Sequence, residues 1–333
     1  MKYNHYIALD WAQRNMAVAR MTEKSDFPIV TDSKSNLDNL KAYLKSLKGT
    51  KILTFEECNA AQWLYTELKS EVDEILVCDP YRNHLLKEGH KSDPIDAGKL
   101  CVLLRGKLLK PVFHCTDEFI NLRKLVSGYD DLIHSVVQMK NRLSAMYRAK
   151  GLKHGERFKT SEEIFVSEEL KKSIQLAEDQ RSLYEREFKK IRRKHKVVRD
   201  LESIPGIGLI NSVKLVAIIV DGKRFTNKSP YLVYCGLLKT DAMSGGKKYG
   251  RRTPRHSRQL KSIFKTAALA CVNSREGNPL KEYYISQTNK KLPECVARHA
   301  LSRRIAVLAL GVMKSGVKLR TENLCVEDNI VAS

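Results

Sequence analysis

Three features of this 333-residue sequence predict an α/β sheet layer followed by a mainly helical region. In residues 1–112 short apolar runs alternate with stretches of helical spacing, the pattern of strands and helices stacked in layers. From about 117 to 200 the composition turns to long, charged helices, and beyond 201 apolar helices are separated by glycine-rich stretches. With 42% apolar residues the chain can bury a full core, and its length exceeds that at which single cores tend to divide. Two domains and a connector are expected, at 1–112, 113–200 and 201–320, with a tail at 321–333.

The first element is a β-hairpin over 5–21. Tyr6 to Leu9 and Met16 to Ala19 are apolar stretches joined by a polar turn, and Asp10 falls at the end of the first strand. Leu37, Leu40, Leu44 and Leu47 recur at helical spacing. Lys51 to Phe55 reads as a strand ending at Glu56, Gln62 to Lys69 as a helix, and Ile75 to Cys78 as a further strand. Ser92-Asp93-Pro94-Ile95-Asp96 then opens a helix carrying Leu100, Leu103 and Leu104. Ser92 or Asp93 can cap it, and a proline in the first turn removes an N–H that had no partner there.

Leu122, Leu125, Tyr129, Leu132, Val136, Leu143 and Met146 keep helical spacing, a looser link falls near Gly151 and Gly155, and Leu170, Ile174, Leu183 and Ile191 mark a second long helix. An antiparallel helical hairpin or coiled-coil arm accounts for both. Such an arm serves equally as a solvated spacer or as a surface for RNA or a protein partner. The last module starts near Leu201 and passes through Ser203-Ile204-Pro205-Gly206-Ile207-Gly208 into the apolar helix Val213 to Val220. Tyr231 to Leu238, the glycine-rich Met243 to Gly246 and a basic run follow, and helical patterns resume at Leu260 to Val272 and Ala300 to Met313.

Sixty Lys and Arg against thirty-eight Asp and Glu leave a formal charge of +22, a field that concentrates polyanions and points to nucleic acid as the partner. The charge is uneven: residues 1–110 hold 17 basic and 15 acidic side chains, the rest 43 and 23. That split suggests a carboxylate-rich chemical module ahead of a polyanion-gripping one. The eight cysteines contain no C-x-x-C pair and several fall in apolar runs, as expected of reduced thiols in a cytoplasmic protein. The first residues lack a signal-peptide core and no apolar run approaches a membrane span of about 18 residues, so neither secretion nor membrane insertion is expected.

The first constellation able to carry chemistry is acidic. Asp10 and Glu56 stand at strand ends, and Asp93 and Asp96 are three apart in a first helical turn, hence on one face. Strand ends and a helix start can converge at one sheet edge, where oxygen ligands suit Mg²⁺ or Mn²⁺ and two such ions about 4 Å apart serve phosphoryl transfer. Singly, Asp10 also suits a turn, and Asp93 and Asp96 favour a helix N-terminus through its dipole. Glu57 competes with Glu56; strand neighbours point to opposite faces, so one of the two can face the cluster.

Ala8-Leu9-Asp10-Trp11-Ala12, Phe55-Glu56 ahead of Trp63-Leu64-Tyr65, and Lys91-Ser92-Asp93-Pro94-Ile95-Asp96-Ala97 resemble the DEDD transposases of the bacterial insertion-sequence one-ten family. These are relatives of the pilin-gene invertases and include the RNA-guided bridge recombinases. Ile204 to Gly208 and Ser244-Gly245-Gly246 to Arg252 resemble that family's second domain. The resemblance implies a ribonuclease-H-like, RuvC-type domain whose acidic residues are Asp10, Glu56, Asp93 and Asp96. It also implies a catalytic serine at Ser244, a non-coding guide RNA choosing donor and target DNA, and a dimer or tetramer. The family's residue after the glutamate is small, where this chain has Glu57.

Two further constellations lie in the last module. Pro205-Gly206-Ile207-Gly208 between helical segments reads as a helix-hairpin-helix turn, in which Gly206 and Gly208 let backbone N–H groups approach phosphates of a duplex; an ordinary interhelical turn has the same composition. Ser244 before two glycines is by itself a turn residue. Its setting among Lys247, Lys248, Arg251 and Arg252, with Arg255 and Arg258 beyond, would neutralise a pentacovalent phosphate and help the hydroxyl ionise. The expected function is Mg²⁺-dependent transposition through a composite of carboxylates and serine. A junction-resolving nuclease without a serine nucleophile and a non-enzymatic nucleic-acid binder are the alternatives.

Overall fold

A computed structural model describes residues 3–81, 92–115 and 117–320. Lys91, Cys325 and the expected tail at 321–333 lie outside the described residues. The chain forms two compact units divided after Asp117.

The first unit is a five-stranded sheet. Strands β1 (His5–Trp11), β2 (Asn15–Met21) and β3 (Ile29–Lys34) form an antiparallel meander; β4 (Lys51–Glu56) and β5 (Glu74–Cys78) add in parallel, giving the order β3-β2-β1-β4-β5. Helices α1 (Leu37–Ser46) and α2 (Ala61–Leu68) supply the crossovers that parallel strands require. Alternation along β1 sends Ile7 and Leu9 to one face, where Leu40, Leu44, Leu64 and Leu68 cover them. Tyr6 and Ala8 meet α3 (Asp93–Arg105) on the other, through Ala97, Leu100, Cys101 and Leu104. Small residues on that face, Ala8, Ala17 and Ala19, leave room for α3 to lie against the strands.

The hairpin and the helices near 37–47, 62–69 and 93 are found where the periodicity places them. Strand β3 has no counterpart in the pattern: Ile-Val-Thr-Asp-Ser-Lys is exposed or half-exposed throughout, and it pairs with β2 at the sheet edge with only Val30 packed against the core under α3. Ser92 is the cap of α3 by backbone geometry, without a side-chain bond.

The second unit is mostly helical. Helices α4 (Asp117–Ala149) and α5 (Ser161–Lys194) run antiparallel, held by the rings of Tyr129, Tyr184 and Phe188, by a cluster of Leu143, Tyr147, Phe158 and Leu170, and by the ion pairs Lys140–Glu178 and Lys150–Glu163. Thr160 caps α5, accepting from the Glu163 N–H at 3.4 Å. Then come α6 (Lys196–Leu201), α7 (Leu209–Ile219), a 3₁₀ turn at Gly222–Arg224, α8 (Lys228–Tyr234), a hairpin of β6 (Thr240–Ser244) and β7 (Lys247–Arg252), α9 (Arg258–Asn273), α10 (Pro279–Asn289) and α11 (Glu294–Ser315). Their core gathers Leu201, Val213, Val216, Tyr231, Phe264, Leu301 and Ile305. Helix α10 was not visible in the apolar periodicity because Leu280 is its one buried residue. Where the sequence showed only a glycine-rich and basic stretch, the structure has a two-stranded sheet.

Candidate active site

The acidic constellation assembles at the carboxyl end of β1 and β4. These strands pair in parallel with Ala8 beside Thr54, and continuing that register by two residues sets Asp10 beside Glu56. Both side chains belong to the face that α3 covers, because Ala8 and Ile52, an even number of residues before them, pack there. Helix α3 runs against the direction of β1: the Cys101 thiol donates to the Tyr6 carbonyl at 3.2 Å, and Arg105 reaches the Thr22 and Ser25 carbonyls beyond the end of β2. Eight helical residues, about 12 Å, separate Cys101 from Asp93, a rise that a strand covers in about four residues, the distance from Tyr6 to Asp10. The first turn of α3 therefore arrives at the level of Asp10.

Electrostatics report the same gathering. The Asp10 carboxyl is pushed from its ordinary 3.8 up to about 6, first by burial and then by the negative charges of Asp93, Asp96 and Glu56. Among the described residues Asp96 Oδ1 is buried without a hydrogen-bond partner, although Asp93 beside it is exposed. Among the described residues no three His, Cys, Asp or Glu side chains converge closely enough to hold a metal ion as they stand. The donor set nevertheless fits a hard divalent cation in kind: every candidate ligand is a carboxylate oxygen, and the orphaned Oδ1 and the repulsion on Asp10 are both relieved by positive charge.

Glu57 turns away from this group. Its Oε2 lies 2.7 Å from His114 Nε2, His114 Nδ1 lies 2.9 Å from Gln62 Oε1, and the Tyr65 ring stacks on the imidazole at 5.3 Å. The neighbouring glutamates thus have separate partners, Glu56 among the carboxylates and Glu57 at His114. His114 had no signal in the sequence, since its partners come from residues 57, 62 and 65.

In the second unit, Ser244 ends β6 and faces Lys247 across a two-residue turn in which Gly245 and Gly246 both have positive φ, 54° and 74°. Lys247, Lys248, Arg251 and Arg252 lie on β7, Arg255 in the following loop and Arg258 at the start of α9, and all are exposed. Gly206 and Gly208 divide. Gly206, at φ 87°, has no room for a side chain, because a Cβ would stand 2.2 Å from the Ala267 carbonyl oxygen of α9. Gly208 caps α7 by backbone, is exposed, and a Cβ there would meet nothing within 4 Å.

Two family models match this chain. One, described as Transposase IS116/IS110/IS902 family, covers residues 198–285; the other, the IS110 DEDD model described as Transposase, covers residues 7–149. Over 141 residues the chain is 30% identical to the "Insertion element IS110 uncharacterized 43.6 kDa protein" of Streptomyces coelicolor. That match takes in 42% of this chain and 34% of that protein, so the chain aligns with about a third of the relative's length. The matched segments are transposase sequence, one containing the four carboxylates and the other Ser244 with the basic hairpin. The chain belongs to the IS110 family of DEDD transposases.

Proposed function

We propose that the protein cuts and rejoins DNA as the transposase of a bacterial insertion sequence, with Asp10, Glu56, Asp93 and Asp96 holding Mg²⁺ or Mn²⁺ and Ser244 as nucleophile. The observation that carries this reading is the gathering of four carboxylates at one sheet end, expressed in the raised Asp10 carboxyl. The strand order β3-β2-β1-β4-β5, with an antiparallel meander extended by parallel strands, supports a ribonuclease-H-like, RuvC-type domain at 1–112, ahead of a helical coiled-coil arm at 113–200 and a transposase domain at 201–320.

A divalent cation bound by the carboxylates supplies charge to favour an ionised attacking oxygen and to offset the charge of the transferring phosphoryl group. The Ser244 oxygen attacks a DNA phosphate; an Oγ–P bond forms as a P–O bond of the strand breaks, and the released hydroxyl end takes a proton. The reverse attack by a hydroxyl end rejoins DNA without ATP, because the phosphodiester energy is kept in the serine ester. The basic hairpin offsets charge at the phosphate. Carboxylates and serine act in one reaction. A non-coding guide RNA selecting double-stranded donor and target, a homodimer or homotetramer, and a cytoplasmic location complete the reading, and family membership supports it. Among the described residues no helix is long and apolar enough to cross a membrane.

Recombination between donor and target plasmids, with a denaturing gel for protein-bound DNA, tests the mechanism. Wild type in Mg²⁺ is expected to give both product and adduct, and Asp10→Asn and Asp96→Asn to lose recombination while still binding nucleic acid. Ser244→Ala is expected to lose adduct and product together. Recombination by the serine variant would replace the serine ester with a water nucleophile, and full activity of both aspartate variants would remove the metal role.

A further inference from the structure

The β6–β7 hairpin has two chemically different faces, a distinction hidden when its four cations are counted as one basic run. Its register pairs Thr240 with Arg252, Asp241 with Arg251, Ala242 with Gly250, Met243 with Lys248 and Ser244 with Lys247. Tyr249 is left out of the pairing, the extra residue of a β-bulge between Ala242 and Met243. Paired residues share a face and successive ones alternate. One face therefore carries Met243, Lys248, Asp241 and Arg251. The ion pairs agree: Asp241 meets Lys248 at 2.7 Å and Arg251 at 3.4 Å, and the Lys248 bond holds the Asp241 carboxyl below the usual range.

The other face carries Ser244, Lys247, Thr240 and Arg252, and Tyr249 projects from the bulge between Lys248 and Gly250, outside the alternation of either face. No acidic residue lies on this face, and among the described residues neither Lys247 nor Arg252 is in an ion pair. Tyr249 is 72% exposed and β7 is exposed along its whole length. Two unpaired cations with a hydroxyl at the tip, and an exposed aromatic ring projecting from the bulge of the same strand, match the makeup of a surface that grips a nucleic-acid strand by phosphate and base.

We propose that the Ser244 face seats a DNA strand, with Lys247 and Arg252 on its phosphates and Tyr249 stacked on a base. Asp241 keeps Lys248 and Arg251 on the opposite face out of that contact. Tyr249 is a positioning residue: it fixes the strand against the tip of the hairpin, where Ser244 stands. The assignment of the strand as DNA rests on the proposed serine chemistry; the division of the hairpin into two faces does not.

Two double variants of the full chain, Lys247→Gln/Arg252→Gln and Lys248→Gln/Arg251→Gln, remove equal charge from adjacent exposed positions, so any difference between them is a difference of face. Binding to a labelled single-stranded DNA is measured across salt, with thermal melting confirming that each variant folds. Lys247→Gln/Arg252→Gln is expected to lower the log–log salt slope by about 1.4, near 0.7 for each phosphate lost on a single strand. Lys248→Gln/Arg251→Gln should lower it by less than half of that. Tyr249→Ala is expected to weaken binding about tenfold at constant salt slope, within the range of one lost base stack, and Tyr249→Phe to restore it. Equal losses from the two double variants would overturn the two-face assignment. The same pattern on single-stranded RNA, with DNA binding unmoved, would overturn DNA as the occupant. Recombination by Ser244→Ala with the face pattern intact would sink the serine mechanism and leave the strand seat standing.

Discussion

At Asp10 a half-buried carboxylate meets three others, and its titration turns that crowding into a measurable stability. Its folded value of about 6 lies above its ordinary 3.8, so the native state holds the proton to higher pH than the unfolded chain does. The contribution is most favourable below about pH 4 and is lost as pH rises through about 6. In the presence of a chelator, Asp10→Asn is therefore expected to raise the thermal midpoint at pH 7–8 and to change it little at pH 4. Added Mg²⁺ should raise the wild-type midpoint more at pH 7.5 than at pH 5, because binding competes with the proton. A midpoint difference that is the same at every pH would mean that the four carboxylates do not repel one another. Asp10, Glu56, Asp93 and Asp96 were legible in the sequence as strand-end and helix-start acids. The family motif ahead of Trp63-Leu64-Tyr65 favours Glu56 over Glu57; what stayed hidden was the partner of Glu57, His114, reached only when the segment after α3 returns beside β5.

Among elements, the turn between α6 and α7 separates two glycines that look alike in sequence. Gly206 combines a left-handed φ with the Ala267 carbonyl in the space of a Cβ. Gly206→Ala should cost about 2–5 kcal/mol in a denaturant melt, the sum of left-handed strain and overpacking. Gly208→Ala meets open space and should change stability by no more than about 1 kcal/mol. If the turn grips phosphate through its backbone, Gly208→Ala lowers DNA affinity at unchanged stability. A Gly208→Ala protein that binds DNA like wild type would leave α7 with an ordinary interhelical turn. The periodicity that marked α1 and α9 comes from one buried stripe per helix. Strand β3 and helix α10 bury too little for such a stripe, which is why neither was legible.

For the whole molecule, the division after Asp117 is also a division of charge: residues 1–117 carry 17 basic and 16 acidic side chains, residues 118–333 carry 43 and 22. Expressed separately, the second segment is expected to bind duplex DNA with a steep salt dependence, about 0.9 in log–log slope for each phosphate neutralised. The first should bind weakly. Equal affinities from filter binding at matched salt would place the grip in the carboxylate unit and undo the functional reading of the charge asymmetry.

The sequence by itself determined the α/β-then-helical order, the family, the basic character of the second unit and the four candidate carboxylates, because these follow from local periodicity, composition and motif. Only the tertiary structure decided that Glu57 pairs with His114, that Gly206 is held by packing against α9, and that Ser244 shares a hairpin face with Lys247 and Arg252 while Asp241 claims Lys248 and Arg251. The physical reason is that a face or a partner is a property of pairing register and of segments distant in sequence. A single bulged residue moves Tyr249 out of the pairing, and nothing in Lys-Lys-Tyr-Gly-Arg-Arg read alone reveals it.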